Sequence, residues 1–181
     1  MNYVDFFEDT LKILNQGYYI KNNKKIKLKL NRRTMKKARV FLPEKLHNLK
    51  HVKISKYASS HDTRCKYNCE NTDSFTLARQ IYKNYLFDEN DKEILVLNFA
   101  NPVNPGGGVR RGARAQEEDL CRTSSLILSL ESHKASKYYK YNTALDSYMG
   151  SDGIIITPKV EIIKDSTGEL LDESIIISVM T

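Results

Sequence analysis

The segment from Leu95 to Val109 constrains the fold most, because an apolar run passes there directly into a loop of asparagine, proline and glycine. The run Ile94-Leu-Val-Leu-Asn-Phe99 is nearly continuous in apolar residues, which is typical of a strand covered on both faces in a mostly parallel sheet. Three of the eight glycines and two of the four prolines follow before Val109. We therefore predict an α/β fold with a ligand-binding loop at the carboxyl end of this strand.

The length of 181 residues fits one domain with a hydrophobic core of its own. We expect a single domain over 1–181, in which 1–50 forms an N-terminal accessory segment with helical character. The cysteine count of three is odd and no apolar leader begins the sequence, so we expect a reducing, cytoplasmic location. The longest uncharged apolar runs are strand-sized, so no membrane-spanning segment is expected.

The formal net charge is +7 and the isoelectric point is near 9.2, a balance that attracts polyanions. Much of the positive charge lies between Lys21 and Lys56, where lysine and arginine are interleaved with apolar residues. A solvated face with charged strand edges explains this pattern most simply. A surface that contacts phosphates, as in a nucleic-acid-binding protein, is the alternative.

Periodicity divides the rest of the chain into helices and strands. Apolar residues recur at helical spacing in four segments, 3–14, 74–82, 116–130 and 138–148. Gly17 is placed to end the first of these helices, and Asn71-Thr-Asp73 to cap the second. Asn31 is predicted to cap a further short helix that continues to Arg39. Strand patterns lie at 25–30, 52–54, 94–99, 153–156, 160–163 and 174–179, with a turn at 165–168.

The three successive glycines, Gly106, Gly107 and Gly108, allow two interpretations. They either make a plain connection between a strand and a helix, or they expose backbone N–H groups to a phosphate or a sugar. Their position after an apolar strand favours the second interpretation. A nucleotide-hydrolase phosphate loop is not matched, because no Gly-Lys-Ser or Gly-Lys-Thr follows, and the spaced glycines of dinucleotide folds are missing.

Gln116, Glu117 and Glu118 begin the next predicted helix. Acidic residues in a first helical turn stabilise the helix by up to about 1 kcal/mol, so a structural role would suffice for the pair. Beside the glycine loop they also form a polar cluster suited to a sugar, because one carboxylic acid can protonate a glycosidic leaving group while the other holds a ribose hydroxyl. Successive helical residues point about 100° apart, so the two glutamates have different roles.

No metal site is expected from the sequence. Cys65 and Cys69 have a loose zinc-pair spacing with His61 nearby, but no second pair completes a tetrahedral site. The tyrosines of Tyr138-Tyr-Lys-Tyr141 could stack on a base, yet a helix face with packed rings explains them better.

Two motifs closely resemble the signature of the microbial-type poly(ADP-ribose) glycohydrolases. The first is Asn98-Phe-Ala-Asn-Pro-Val-Asn-Pro-Gly-Gly-Gly108, and the second is Ala115-Gln-Glu-Glu-Asp-Leu-Cys-Arg-Thr-Ser-Ser125. Asn71-Thr-Asp-Ser-Phe-Thr-Leu-Ala78 and Ile176-Ile-Ser-Val-Met-Thr181 are similar to further segments of that family. The resemblance covers most of the chain and is weakest before about residue 50.

The resemblance implies a macrodomain-like core, in which a mixed sheet lies between helices, with an N-terminal helical extension. It implies binding of ADP-ribose, poly(ADP-ribose) or an ADP-ribosylated protein by a monomer, and hydrolysis of the ribose–ribose bond without a metal or cofactor. Glu118 would be the acid and base that protonates the departing ribose oxygen. Glu117 would hold the ribose hydroxyls of the bond that is cleaved.

The resemblance also implies substrate-binding roles around the loop. The glycines would approach the pyrophosphate and the distal ribose, Asn101 and Asn104 would orient that ribose, and Gln116 would buttress the loop. The implied substrate-binding set is Asn101, Asn104, Gly106, Gly107, Gly108 and Gln116.

One feature of the family has no counterpart in this sequence. After the strand similar to 176–181, the family continues with a helix, a strand and a second glycine-rich loop, so we expect the C-terminal part of the core to be missing from these 181 residues. Three functions remain open on this basis: a glycohydrolase, a non-catalytic ADP-ribose-binding module, and a basic nucleic-acid-binding protein.

Overall fold

The computed structural model describes residues 2–48, 67–85, 93–145 and 149–181. The α-helices within these ranges are α1 (Tyr3–Gln16), α2 (Arg32–Met35), α3 (Pro43–Asn48), α4 (Ser74–Tyr85), α5 (Gln116–Thr123), α6 (Leu126–Leu130) and α7 (Ser136–Ala144). The strands are β1 (Tyr18–Lys21), β2 (Lys24–Lys27), β3 (Arg39–Phe41), β4 (Leu95–Leu97), β5 (Ile154–Lys164) and β6 (Leu170–Met180). None of the described helices is long and apolar enough to cross a membrane.

The main sheet has four described strands in the order β3-β5-β6-β4. Strands β5 and β6 run antiparallel through the predicted turn at 165–168, and β3 also pairs antiparallel with β5, whereas β4 lies parallel to β6. The predicted α/β class with a mixed sheet is confirmed. Parallel pairing is nevertheless the minority among the described strands, because the tight turn forces the two longest strands into a hairpin.

Strand β4 corrects the expectation of a strand covered on both faces. It is only three residues long, and its exposure alternates: Leu95 is 53% and Leu97 47% exposed, while Val96 is 8% exposed. Strand β4 pairs with β6 on one side, and on its other side it has no neighbouring strand among the described residues. The apolar run alone does not distinguish such a half-covered edge strand from a fully buried one.

The N-terminal segment follows the prediction in part. The strand predicted over 25–30 ends at Lys27 and pairs with β1, a strand that the sequence pattern did not predict. Asn2 caps α1, and Gly17 ends it in the left-handed conformation with φ +77°. Asn31 caps α2 by accepting a hydrogen bond from the Thr34 N–H at 2.9 Å, but the helix ends at Met35 rather than continuing to Arg39. Residues from Arg39 onward instead form β3, because pairing with β5 supplies the backbone hydrogen bonds that a longer helix would have made.

The helix predicted over 116–130 is two helices. Between α5 and α6, Ser124 has extended backbone angles of φ −147° and ψ 179° and forms a β-bridge with Ile162. Its hydroxyl donates to the carbonyl of Leu120 at 2.7 Å, which satisfies one of the last carbonyls of α5. Helix α5 is thus anchored at its carboxyl end to β5, and its first turn carries Gln116, Glu117 and Glu118.

The strands predicted over 153–156 and 160–163 join into β5, with an irregular register between Thr157 and Val160. Most residues from Val160 to Lys164 are fully buried, so this part of the sheet is covered on both faces. The predicted strand 52–54, the end of the predicted helix at Tyr148, and the side chains of His61 and Cys65 lie outside the described residues.

Candidate active site

The loop after β4 is shaped by Asn101. The backbone N–H of Asn98 still pairs with the Met180 carbonyl at 2.8 Å, after which the chain leaves the sheet. The Asn101 carboxamide oxygen accepts hydrogen bonds from the N–H groups of Val103 at 2.9 Å and Asn104 at 2.8 Å, forming a side-chain-supported turn. The sequence-predicted Asn101 therefore shapes the loop through its side chain, whereas Asn104 has an exposed side chain and accepts from Gly107 N–H only through its carbonyl.

Space favours glycine at all three positions, and backbone conformation requires it at two of them. Gly106 and Gly107 have φ values of +70° and +58°, a region that other residues seldom adopt. A Cβ on Gly107 would lie 2.3 Å from Oε1 of Glu118, and one on Gly108 would lie 2.7 Å from the Cβ of Ala113. The loop thus lies directly against the carboxylates that begin α5, which the linear spacing had predicted.

Glu118 is 7% exposed and is held by the loop through one oxygen only. The backbone N–H of Gly108 donates to its Oε1 at 2.7 Å. Its Oε2 is buried and has no hydrogen-bond partner among the described residues. Because a buried carboxylate oxygen without a donor is costly, this atom is a candidate for contact with a ligand or a reacting proton.

Glu117 is 2% exposed, and both of its oxygens accept hydrogen bonds. The Asn101 N–H donates to Oε2 at 2.8 Å, and the Asn98 side-chain amide donates to Oε1 at 3.3 Å. Burial raises the pKa of Glu117, the N–H donors of Asn101 and Asn98 oppose that shift, and the neighbouring charge of Glu118 adds to it. The two adjacent glutamates therefore occupy different environments, as their divergence on the helix predicted.

Gln116 lies along the edge of β4 instead of beside the glycines. Its carboxamide oxygen accepts from the Phe99 N–H at 2.7 Å, and its amide donates to the Leu97 carbonyl at 2.7 Å. The same amide lies 3.2 Å from the Ser74 hydroxyl at the start of α4. The side chain thus takes the place of a neighbouring strand and ties the end of β4 to α5 and α4.

One residue that holds Glu117, Asn98, was not identified from the sequence. The Asn98 amide contacts both Glu117 and the hydroxyl of Thr181, the latter at 3.2 Å, and so connects the site to the end of β6. Asn98 is 3% exposed and its carboxamide oxygen has no partner among the described residues. A polar residue within an otherwise apolar strand pattern is the signal that could have identified it.

Helix α1 braces the connection between the glycines and α5. The Tyr3 ring lies between two guanidinium groups, with the Arg114 carbon 4.5 Å and the Arg122 carbon 4.7 Å from the ring centroid. Arg122 is 1% exposed and donates to the Ala113 carbonyl at 2.6 Å, and the Thr10 hydroxyl donates to the Arg122 carbonyl. These contacts between α1 and the two arginines hold the segment that precedes Gln116, and so they help to position Glu117 and Glu118.

Two cavities lie near these elements. One of about 390 Å³ has Pro105 and Tyr139 in its wall. Another of about 360 Å³ lies beside Gln116, between the starts of α4 and α5, with Ser74 and Arg114 in its wall. Among the described residues, no group of three or more histidines, cysteines, aspartates or glutamates is placed to hold a metal ion.

Comparisons with known proteins agree with the geometry of the site. The family model for the microbial-type PARG catalytic domain matches residues 7–165. The structure of poly(ADP-ribose) glycohydrolase from Thermomonospora curvata bound to the inhibitor ADP-HPD is 25% identical with a TM-score of 0.81, and the match covers 99% of this chain and 61% of that one. The enzyme from Deinococcus radiodurans in complex with ADP-ribose is 32% identical with a TM-score of 0.65, over 83% of this chain and 56% of that one.

No curated protein matches the chain. The 181 residues span about three fifths of the length of the solved relatives that they match. The family match covers far more than half of the chain and contains both the glycine loop and the two buried glutamates. This chain therefore belongs to the microbial-type poly(ADP-ribose) glycohydrolase family, of which it contains the catalytic-domain motif.

Proposed function

We propose that this protein hydrolyses the ribose–ribose O-glycosidic bond of poly(ADP-ribose) and releases ADP-ribose. The observation that carries this proposal is the contact between the glycine loop and Glu118, which leaves one buried carboxylate oxygen without a hydrogen-bond partner among the described residues. The solved relatives, which bind ADP-ribose or the inhibitor ADP-HPD, support the choice of ligand. The family's motif supports the reaction.

Glu118 is proposed as the acid and base. Its proton passes to the oxygen that leaves the anomeric carbon as the glycosidic C–O bond breaks. A water molecule then attacks that carbon, and Glu118 takes the proton that the water loses. The products are ADP-ribose with a free anomeric hydroxyl and a polymer shorter by one unit.

The raised pKa of Glu117 would by itself favour Glu117 as the acid. Both of its oxygens, however, are occupied by N–H donors, whereas Glu118 has an oxygen available for proton transfer. We therefore assign Glu117 the ribose hydroxyls. Gly106, Gly107 and Gly108 are proposed to approach the pyrophosphate, with Asn101 and Asn104 at the distal ribose and Gln116 supporting the loop.

We also propose that residues 1–181 act as one macrodomain-like domain and as a monomer. Phe7, Leu14 and Met35 of the N-terminal accessory segment 1–50 belong to the same core cluster as Ile162 of β5, which supports a single folding unit. Cys121 is buried and free, which suits the reducing cytoplasm. Light scattering checks the monomer, and a second species at micromolar concentration would contradict it.

The test of activity is release of ADP-ribose from protein-bound poly(ADP-ribose). Wild-type protein is expected to release it and the Glu118→Gln variant is not. A Glu173→Gln variant serves as the matched control, because Glu173 is exposed and pairs with Lys29 near the start of β6, whereas the site adjoins the end of that strand. Absence of product from the wild type, under conditions where the Thermomonospora curvata enzyme completes the reaction, would contradict the proposal. Binding of ADP-ribose without turnover would then identify a non-catalytic binding module.

A further inference from the structure

The N-terminal part of the chain is far more basic than the rest. From Thr10 to Pro43 there are eleven lysines and arginines and no aspartate or glutamate. The whole protein has a formal net charge of +7, so the remaining residues together are acidic. The positive charge is therefore concentrated in one stretch of the chain.

Most of these cations are exposed and have no acidic partner among the described residues. Lys21 pairs with Asp172 and Lys29 with Glu173, both near the start of β6. The others on β2, α2 and β3 are exposed and form no ion pair within the described residues. We call this group the basic surface: Lys24, Lys25, Lys27, Arg32, Arg33, Lys36, Lys37 and Arg39.

The basic surface rests on a rigid support. Asn22 and Asn23, with φ values of +51° and +58°, close the β1–β2 hairpin, while Ile26, Leu28 and Leu30 pack towards the core. The fully buried carboxylate of Glu161 accepts the N–H of Lys29 at 2.7 Å and that of Leu30 at 2.9 Å, and so fixes the connection between β2 and α2 to β5. The backbone that carries the cations is therefore ordered before any ligand binds.

The hairpin end of the basic surface lies at the opposite end of β6 from the glutamates. Lys21 pairs with Asp172, whereas the site adjoins Met180 and Thr181. At roughly 3.3 Å per residue, the strand spans about 26 Å between Asp172 and Met180. A ligand on the hairpin is thus separate from one at the glycine loop, although a long polymer could contact both.

The side chains favour phosphate contacts over base stacking. Lys25 covers the Tyr18 ring at 3.8 Å from its centroid, and Tyr19 is buried, so neither ring is an open platform for a base. Lysine and arginine on extended and helical backbone neutralise phosphates without reading sequence. The polymer of the proposed function carries two phosphates in each unit and is the polyanion that the protein would already bind at its end.

We propose that the basic surface binds the phosphates of poly(ADP-ribose) units distant from the end that enters the active site. This inference rests on the proposed function for its choice of polyanion. It gives a role to exposed cations that are concentrated in one stretch of the chain, and it makes long polymers bind more tightly than free ADP-ribose.

The test measures binding without turnover, in a Glu118→Gln background, by anisotropy of labelled poly(ADP-ribose) chains and of labelled ADP-ribose. The test variant carries Lys24→Gln, Lys25→Gln and Lys27→Gln. The control variant carries Lys134→Gln, Lys137→Gln and Lys140→Gln, which remove three exposed charges, one just before α7 and two on it. Circular dichroism of both variants verifies that they are folded.

The test variant is expected to lose about tenfold in affinity for long chains, with ADP-ribose unchanged. The slope of log affinity against log salt is expected to fall by about 2, at roughly 0.7 for each lost phosphate contact. The control variant should change less than threefold. An equal loss in both variants would overturn the proposal, because it would indicate general attraction to a positive protein.

Duplex DNA and single-stranded RNA of equal charge are the competing probes. Tighter binding of either one, with the same dependence on Lys24, Lys25 and Lys27, would overturn poly(ADP-ribose) as the ligand in favour of nucleic acid. Failure of ADP-ribose to bind, with long chains still held by the basic surface, would count against the proposed function and leave this inference standing. The two proposals are thus judged by different measurements.

Discussion

Two buried carboxylates, those of Glu161 and Glu118, differ in how many of their oxygens accept hydrogen bonds. Glu161 on β5 is fully buried, and its oxygens accept from the N–H groups of Lys29 and Leu30 and from the Ser174 hydroxyl at 2.6 Å. Glu118 is nearly as buried, but among the described residues it has a single donor, Gly108, and its second oxygen has no partner. Burial alone therefore does not indicate function. The missing partner at Glu118 separates a candidate catalytic carboxylate from a structural one.

The largest effect is expected at Glu118. Glu118→Gln keeps the shape and can still accept from Gly108, but it cannot transfer a proton, so the rate of ADP-ribose release should fall by about 10²- to 10⁴-fold. Thermal unfolding should be little changed, since the replaced oxygen has no hydrogen-bond partner among the described residues. If Glu118→Gln lowered the unfolding temperature as much as Glu161→Gln does, the proposed difference between the two carboxylates would be contradicted.

Glu161→Gln is expected to show the opposite pattern. Its new amide would point a donor at a backbone N–H or a hydroxyl, at a cost of about 2–3 kcal/mol in the free energy of unfolding. Urea unfolding measures this loss, and ADP-ribose release per folded molecule at low temperature should remain close to wild type. Stability within 0.5 kcal/mol of wild type, roughly the effect of an ordinary surface substitution, would contradict a structural role for Glu161.

Asn98→Ala tests whether the donors of Glu117 position it for the reaction. Without the amide, Glu117 loses one anchor and its connection to Thr181, and we expect roughly 10- to 100-fold slower release of ADP-ribose from misplacement of the carboxylate. The matched variant Asn98→Asp keeps the shape but repels Glu117, and it should be at least as slow. Full activity in both variants would show that the Asn101 N–H is sufficient to hold Glu117.

The smallest effect concerns pH. Burial raises the pKa of Glu117 above its ordinary value of 4.5, so the folded protein holds that proton more tightly than the unfolded chain does. The stability from this group is fully present below the ordinary pKa and is lost as pH rises through the raised one. The unfolding free energy of wild type relative to Glu117→Gln should therefore decrease as pH rises. A flat or increasing difference would mean that the N–H donors outweigh burial.

Much of the candidate site could be predicted from residues that are close together in the sequence. The spacing from Gly106–Gly108 to Gln116–Glu118 indicated a loop against a helix start, and the structure brings these segments into contact. Asn31, Asp73 and Gly17 were identified as helix caps because capping depends on a few adjacent residues. The roles assigned to the substrate-binding residues remain predictions, because they depend on a ligand.

The features that sequence reasoning missed depend on contacts between distant segments. Ser124 interrupts a helical pattern because it pairs with Ile162 across the sheet. Glu161 lies in an apolar strand pattern, and nothing adjacent to it predicts that its partners are Lys29, Leu30 and Ser174. Strand β4 was predicted to be covered on both faces because its residues are nearly all apolar. Apolar character alone does not indicate which faces and edges of a strand have neighbours.

The Gln116 carboxamide at the edge of β4 also has a consequence for solubility. An edge strand with exposed leucines invites a second chain to extend the sheet, which is the usual start of edge-to-edge aggregation. Gln116 already occupies the Leu97 carbonyl and the Phe99 N–H, the groups that such a chain would need. One side chain thus aligns the glutamate helix with the sheet and protects this apolar edge from self-association.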